Sequence, residues 1–329
     1  MTRICLLLLS AAALSAGCEK SREPSGSGEL SSGDKDMFRN LPSGSPIVFG
    51  GNYMKVAQFM EQTGLGAVSA KLDSAKGMQA FMTCLGMNDK LKIAGSMAIS
   101  ERTADMRMVM GGIGAGEVEG CAKKIEATYK ADGDYLTVEV SDPKSDVAFL
   151  KLKDGSLYTR VEGKGGGMGG MGAPKYQALS REDLEADVAS AKKGSIADDG
   201  KLNDIVAKVD RTQTFWFAGS LAGTPAADKV KEVYGSMDLT DGFGIFVSVQ
   251  VADPSLADKA EEGIDQVKSM SDALPGELKT LLKELDFKRK GDRIRVSLKL
   301  STEQVGRVVK SLGGLMGGLG GGRRGGGGF

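Results

Sequence analysis

The chain has 329 residues, with Lys+Arg and Asp+Glu each at 43, and it contains no histidine. That absence excludes Ser-His-Asp and Cys-His catalysis, zinc sites built on imidazole and every acid–base mechanism run by histidine. The charge balance gives no electrostatic reason to expect nucleic acid as a partner, and 5% aromatic residues leave few side chains for stacking on bases or sugars.

The first stretch reads MTRICLLLLSAAALSAGC: Arg3 precedes the apolar run Ile4 to Leu14, and Ser15-Ala16-Gly17 leads straight into Cys18. A charged start, an apolar middle and a small-residue cleavage site make an export signal. The run is about 11 residues, whereas a bilayer-spanning helix needs roughly 20, so it reads as a signal and not as a permanent anchor. These residues resemble the precursors of bacterial lipoproteins, whose lipobox ends in a small residue followed by an invariant cysteine. The resemblance implies that Cys18 receives a diacylglyceryl group, that residues 1–17 are removed, and that the new amino terminus takes a further fatty acid such as palmitate. Ser15 departs from the family pattern, since an aliphatic residue usually stands three before the cysteine and here Leu14 lies one step further out. A protein of this kind is lipid-anchored in the cell envelope and faces the periplasm. Glu19 after the lipidated cysteine, where Asp would mark inner-membrane retention in the enteric sorting rule, points to the outer membrane.

Residues 18–35 combine the lipidated cysteine with Ser, Gly, Pro and charge, the composition of a disordered tether. A first α+β half is expected over 36–162. It begins with a short helix at 36–41, a strand at 46–51 (PIVFGG), an amphipathic helix at 53–63 and a second helix at 74–85. From Lys90 the period changes to two, so 91–100 and 105–110 (DMRMVM) suit a hairpin, followed by a helix over 117–128. Strands are expected at 135–140, 147–153 and 156–161, the last two joined by Asp154-Gly155. A Gly-rich linker, 163–175, separates the halves.

The second half, 176–312, opens at Ser180-Arg181-Glu182-Asp183, a capping-box-like helix start. A helix at 199–209 and a strand at 212–218 (TQTFWFA) follow, and Ile245, Val247, Val249 and Val251 alternate along another strand. Asp253-Pro254 provides an N-cap with proline at the first helical position. Leu274, Leu278, Leu281, Leu282 and Leu285 make one more apolar stripe. RIRVSLKL at 293–300 is a strand with Ile294, Val296, Leu298 and Leu300 on one face. A last helix spans 302–312, and the Gly-rich tail 313–329 is expected to be disordered.

Three segment pairs recur in the same order: IVFGG with FWFAG, Gly95-Ser96-Met97 with Gly235-Ser236-Met237, and KADGDYLTVEV with KRKGDRIRVSL. Each half then reads strand, helix, two-strand hairpin, helix, strand. The fold class is therefore α+β with an internal duplication, two similar halves that are each an antiparallel sheet backed by helices. The pattern is similar to duplicated arrangements among lipoproteins of Gram-negative bacteria, a likeness that brings no activity with it.

Of the four cysteines, Cys5 leaves with the signal and Cys18 carries lipid. Cys84 and Cys121 remain. In an oxidising compartment an even pair points to a disulfide, with two buried free thiols as the alternative.

Other motifs have ordinary readings. GGIGAGEVEG at 111–120 sits between a strand and a helix, but counting from Gly112 or Gly114 the sixth position is Glu117 or Glu119, so the dinucleotide fingerprint fails. GKGGGMGG at 163–170 lacks the ending of a phosphate loop. Met97, Met106, Met108 and Met110 could in principle hold Cu(I), but three of them share one strand face and read as core. Glu182-Asp183, Asp198-Asp199 and Glu261-Glu262 lack calcium-loop spacing and read as solvated helix faces. Arg323-Arg324 could touch an anionic surface. Phe329 has no alternating strand before it to make a barrel end.

No cofactor and no metal are expected. The functional reading is a non-catalytic binding or assembly module, tethered to the membrane and serving an envelope protein or ligand whose identity the sequence leaves open. The rivals are a histidine-free enzyme using Asp, Glu, Ser or Lys, and a purely structural spacer.

Overall fold

The computed structural model describes residues 26–63, 76–99, 103–141, 144–164, 178–224, 226–269 and 276–308. The chain opens with α1 (Ser32–Phe38), whose N-cap Ser31 accepts the Asp34 amide at 3.2 Å. Then come β1 (Ile47–Gly51), α2 (Tyr53–Thr63), α3 (Lys76–Gly86), β2 (Lys92–Ile99), β3 (Thr103–Gly111) and α4 (Ala115–Lys124). β4 (Thr128–Asp132), β5 (Tyr135–Ser141), β6 (Lys144–Lys151) and β7 (Leu157–Lys164) complete the first part. The second part holds α5 (Arg181–Ala191), α6 (Gly200–Val206), β8 (Phe215–Ser220), β9 (Val230–Asp238), β10 (Phe243–Val251), α7 (Pro254–Ser269), α8 (Gly276–Glu284), β11 (Asp286–Lys290) and β12 (Arg293–Leu300), and a helical stretch follows at 302–308.

Among the described residues the strands form a single 12-stranded sheet in the order β11-β12-β10-β9-β8-β1-β2-β3-β7-β6-β5-β4, antiparallel throughout. The protein is thus α+β, and the strands of its two parts belong to one sheet, a point that the sequence leaves open. β1 pairs with β8, with Phe49 opposite Phe217 and Ile47 opposite Gly219, so one sheet runs through both halves. The reason lies in β1 itself. Val48 and Phe49, adjacent in sequence and therefore on opposite faces, are both buried, and a strand apolar on both faces belongs at a sheet centre.

On the front of the sheet, Val48, Val109, Tyr158, Trp216 and Tyr234 pack with Phe38 of α1, Leu184 of α5 and Val206 of α6. On the back, Met110, Leu136, Val138 and Phe149 lie against Phe81 of α3 and Val118 of α4. Further along the back, Val249, Val296 and Leu298 pack with Ala257 of α7, while Phe59 of α2 joins Phe243 and Leu281.

Three expectations change. Residues 26–35 are not a free tether: Leu30 is buried, α1 starts at Ser32, and the Ser27 amide donates to the Val209 carbonyl at 2.8 Å. The Arg211 guanidinium, 7% exposed, donates to the carbonyls of Gly28 and Glu29 and pairs with Asp34. Among the described residues no helix stands between β8 and β9, where turns within 221–224 and 226–229 take the place of the two helices found between β1 and β2. Finally, β4 and β11 are strands that the apolar pattern does not reveal, because edge strands need bury little and these are largely charged and exposed.

Candidate functional site

Cys18, the glycine-rich linker from 165 onward and the tail with Arg323, Arg324 and Phe329 lie outside the described residues. Cys84 of α3 and Cys121 of α4 form a disulfide with Cα atoms 5.6 Å apart. In the GGIGAGEVEG segment, Gly112 has φ +81, and a Cβ there would come within 2.0 Å of the Lys90 carbonyl oxygen. That glycine is explained by a close backbone approach. The start of α4 is occupied by its own side chain, since Glu117 accepts the Gly114 amide at 2.9 Å, and this bond holds the Glu117 carboxyl below its ordinary range. A phosphate would have to displace that carboxylate.

Met97 and Met106 face one another across β2 and β3, and Met108 and Met110 are buried on the same back face. The acidic runs serve local structure. Ser180 and Asp199 cap α5 and α6, Asp198 accepts the Ser195 hydroxyl, and Glu261 and Asp258 receive Arg289 from β11. Hydrogen bonds from Ser195 lower the Asp198 carboxyl. Among the described residues no group of three or more His, Cys, Asp or Glu is placed to hold a metal ion.

The densest charged cluster sits on the front of the first half. Arg107 of β3 and Arg160 of β7 occupy directly opposed positions, as do Asp105 and Glu162. Like charges facing across a ladder repel, and α5 relieves this by placing Asp187 over both arginines. Asp187 receives the Arg107 Nε at 3.4 Å, an Arg160 Nη1 at 3.2 Å and the Tyr158 hydroxyl at 3.1 Å. Asp105 receives Arg160 Nε at 2.9 Å and lies 3.0 Å from Arg107. Burial first, and Asp187 second, push the Tyr158 hydroxyl far above its ordinary range. Burial pulls on the Arg160 guanidinium in the opposite sense, but Asp105 and Asp187 outweigh it and hold the proton more firmly. A carboxylate that already accepts from three donors has little capacity left for substrate or proton transfer. The cluster's chemistry is to fasten α5 to the sheet. Sequence reading did not single out these residues. Their signal was the alternation in DMRMVM, which puts Asp105 and Arg107 on one face and the methionines on the other.

An open cleft of about 240 Å³ lies on the same face at the far end of the second half. Gly244 forms its floor between Asp238 of β9 and Lys299 of β12, which it pairs with on either side. Phe246 stands next along β10 between Ser236 and Ser297, and Gln213 and Asp241 close the rim. A Cβ at Gly244 would meet nothing closer than 3.6 Å, so the missing side chain is what leaves the space. The cleft offers two carboxylates, one ammonium, one amide and two serines beside an apolar part that includes Phe243 and Phe246.

The fold and site define an α+β protein with one continuous antiparallel sheet among the described residues, helices on both faces and an open cleft near one end. No protein-family model matches the chain, and no curated protein matches it in sequence. Its fold is similar to crystal forms I and III of TP0453, each at 10% identity over 84% of this chain, covering 97% and 98% of theirs with TM-scores of 0.44 and 0.43. Among the described residues, no helix is long and apolar enough to cross a membrane.

Proposed function

We propose that the chain is a membrane-tethered envelope lipoprotein that serves the periplasm-facing side of the outer membrane as a non-catalytic binding or assembly module. The carrying observation is the Arg3-apolar-Ser15-Ala16-Gly17-Cys18 segment, after which the chain is held to the body of the protein from about nine residues onward. The module itself is read as a duplicated α+β unit, one half over 36–162 and the other over 176–312. Supporting this, the same glycine and phenylalanine meet in both halves. Phe49 faces Gly95 and Phe217 faces Gly235, and a Cβ on either glycine would strike the opposing ring at 2.3 and 2.7 Å. α1 precedes β1 at the same spacing as α6 precedes β8, with buried Phe38 and Leu41 answered by Val206 and Val209. Gly133 and Gly291, both at positive φ, turn the β4–β5 and β11–β12 hairpins alike. The hairpin β6–β7 is then an insertion, and a two-strand insertion leaves β5 running in the direction that β12 has.

The test is metabolic labelling with a fatty-acid analogue. Wild-type chain labels and fractionates with membrane, whereas Cys18→Ser leaves an unlabelled, unprocessed or soluble form. A labelled, membrane-bound mature Cys18→Ser protein would refute the anchor.

A further inference from the structure

We infer, on the reading of this protein as a binding module, that the cleft over Gly244 takes a zwitterion of one or two amino-acid residues, its ammonium held by Asp238 and Asp241 and its carboxylate by Lys299. The first observation is the glycine. Inside a strand glycine costs stability, and it marks a bulge, a close backbone approach or the approach of a ligand. Gly244 lies in unbroken register between Asp238 and Lys299, is not among the glycines at positive φ, and leaves 3.6 Å before an added Cβ would meet another atom. That excludes a bulge and a close backbone approach, unlike at Gly235 and Gly242, where a Cβ would come within 2.4 and 1.9 Å of a carbonyl oxygen. Nor does the fold ask for a gap here. On the duplicated reading, Gly95 facing Met108 answers Gly235 facing Val247, which sets Gly244 in register with Asp105 and Phe246 with Arg107. In the first half that place is filled by Asp105 and Arg107 with Arg160 and closed by Asp187 of α5, whereas the lining of the cleft comes from strands and connecting loops alone.

The second observation is which groups the cleft leaves uncommitted. Among the described residues, the side chains of Asp241 and Lys299 have no hydrogen-bond or ion-pair partner. Asp238 accepts the Thr240 amide at 2.9 Å through one oxygen and keeps the other, and Gln213 donates to Asp210 and keeps its carbonyl oxygen as an acceptor. Neighbouring charges are taken: Asp286 receives Lys288, and Lys55 donates to Thr240. The cleft thus sets two carboxylates against one ammonium, which disfavours a plain anion and suits a molecule carrying both signs. Two strand spacings, roughly 9.6 Å, separate Asp238 from Lys299. One or two residues at about 3.5 Å each, with a hydrogen bond of about 2.9 Å at either end, span that gap. Phe246, half-buried against Tyr234 at 6.2 Å between ring centres, adds an apolar wall for a side chain. At about 240 Å³ the space is below the roughly 300–1,000 Å³ of a drug-sized ligand site, so the occupant is small.

The experiment is calorimetric titration of the mature chain from residue 18, carrying Cys18→Ser, with phenylalanine and with the dipeptide Ala-Phe. Saturable binding of at least one is expected, and acetylating its amine or amidating its carboxylate should each weaken it at least about tenfold. Gly244→Val places methyl groups in the cleft without crowding the backbone, so it should melt no lower than wild type and lose the binding. Lys299→Gln should weaken the free ligand about tenfold but leave the amide, which has no carboxylate to lose, within about twofold of wild type. No saturable binding of either probe, blocked ligands bound as tightly as free ones, full binding by Gly244→Val, or an equal loss of free ligand and amide in Lys299→Gln would overturn the proposal. Acyl labelling reads the anchor and titration reads the cleft, so the failure of either is seen separately.

Discussion

Single side chains hold this fold at places where two demands meet. Gly95 and Gly235 must be glycine because a phenylalanine ring lies over each, and because the carbonyls of Arg107 and Phe246 approach within 2.8 and 2.4 Å of where a Cβ would be. Gly95→Ala and Gly235→Ala should each destabilise by about 1–3 kcal/mol through overpacking. Gly120, exposed in the middle of α4 with nothing within 4 Å of an added Cβ, should instead gain about 0.5–1 kcal/mol as alanine. Chemical denaturation of the three variants checks the contrast. Asp187 tests the opposite situation. Asp187→Ala strands two arginines that sit only 17% and 20% exposed, and should cost about 2–3 kcal/mol, less than a fully buried pair because solvent still reaches the site. A loss within measurement error would mean that α5 is held by Leu184, Val188 and the Arg181 pairs without this cluster.

The disulfide is the device that works between elements. It ties α3 to α4 across a separation of 37 residues, and in the chain-entropy model a loop of that size contributes roughly 3–4 kcal/mol. Cys84→Ala with Cys121→Ala should therefore melt well below wild type. Alkylation of protein from its native compartment, under denaturing conditions and before reduction, should find both thiols blocked; two alkylated thiols would mean that the pair is free in the cell. On α7, Ala260 is half-buried beside Val249 and Leu285, and that helix is held by apolar packing together with the pairing of Arg289 with Asp258 and Glu261. The insertion of α2 and α3 between β1 and β2 shows what an element can do away from its own half. Phe59 of α2 packs on Phe243 at 6.1 Å between ring centres, stitching the first half to the back of the second.

At the scale of the whole molecule, stability should have both an acid and an alkaline limit. Glu117, Asp198, Asp210 and Asp253 all have folded-state carboxyls below their ordinary values, mostly through amide and hydroxyl donors; for Asp210, burial pulls upward but bonds from Thr212 and Gln213 prevail. Groups lowered in this way favour the folded state above about pH 4, and the advantage is lost as pH falls and they must be protonated. Tyr53, Tyr129, Tyr135 and Tyr158 are raised, each chiefly by burial, so their contribution is complete below about pH 10 and declines above it as the unfolded chain ionises. Melting temperature against pH should fall at both ends, and Tyr158→Phe should flatten the alkaline side. An unchanged alkaline slope in that variant would place the transition elsewhere.

Periodicity by itself determined most of the strands and helices. RIRVSLKL and IFVSVQV alternate because one face of each strand meets a helix, and β1, β10 and β12 lie within a residue or two of where their patterns put them. The glycine-flanked pairs also pointed to likeness between the halves, because a tight turn at Gly133 or Gly291 and a ring over Gly95 or Gly235 leave local, readable marks. Only the tertiary structure decided that the halves share one sheet. The β1–β8 pairing is made by backbone groups between strands far apart in sequence, and no side-chain period encodes a partner. The ordering of residues 26–35 escaped for a similar reason: glycines and serines carry no apolar signal, and their partners are Arg211 and the carbonyl of Val209, remote in sequence, with Arg211 and Gly28 separated by 183 positions. The same holds for the front-face cluster. Asp105, Arg107, Tyr158, Arg160 and Asp187 come from three separate elements, and charged residues read singly look like solvated surface until the sheet and α5 bring them within hydrogen-bonding distance.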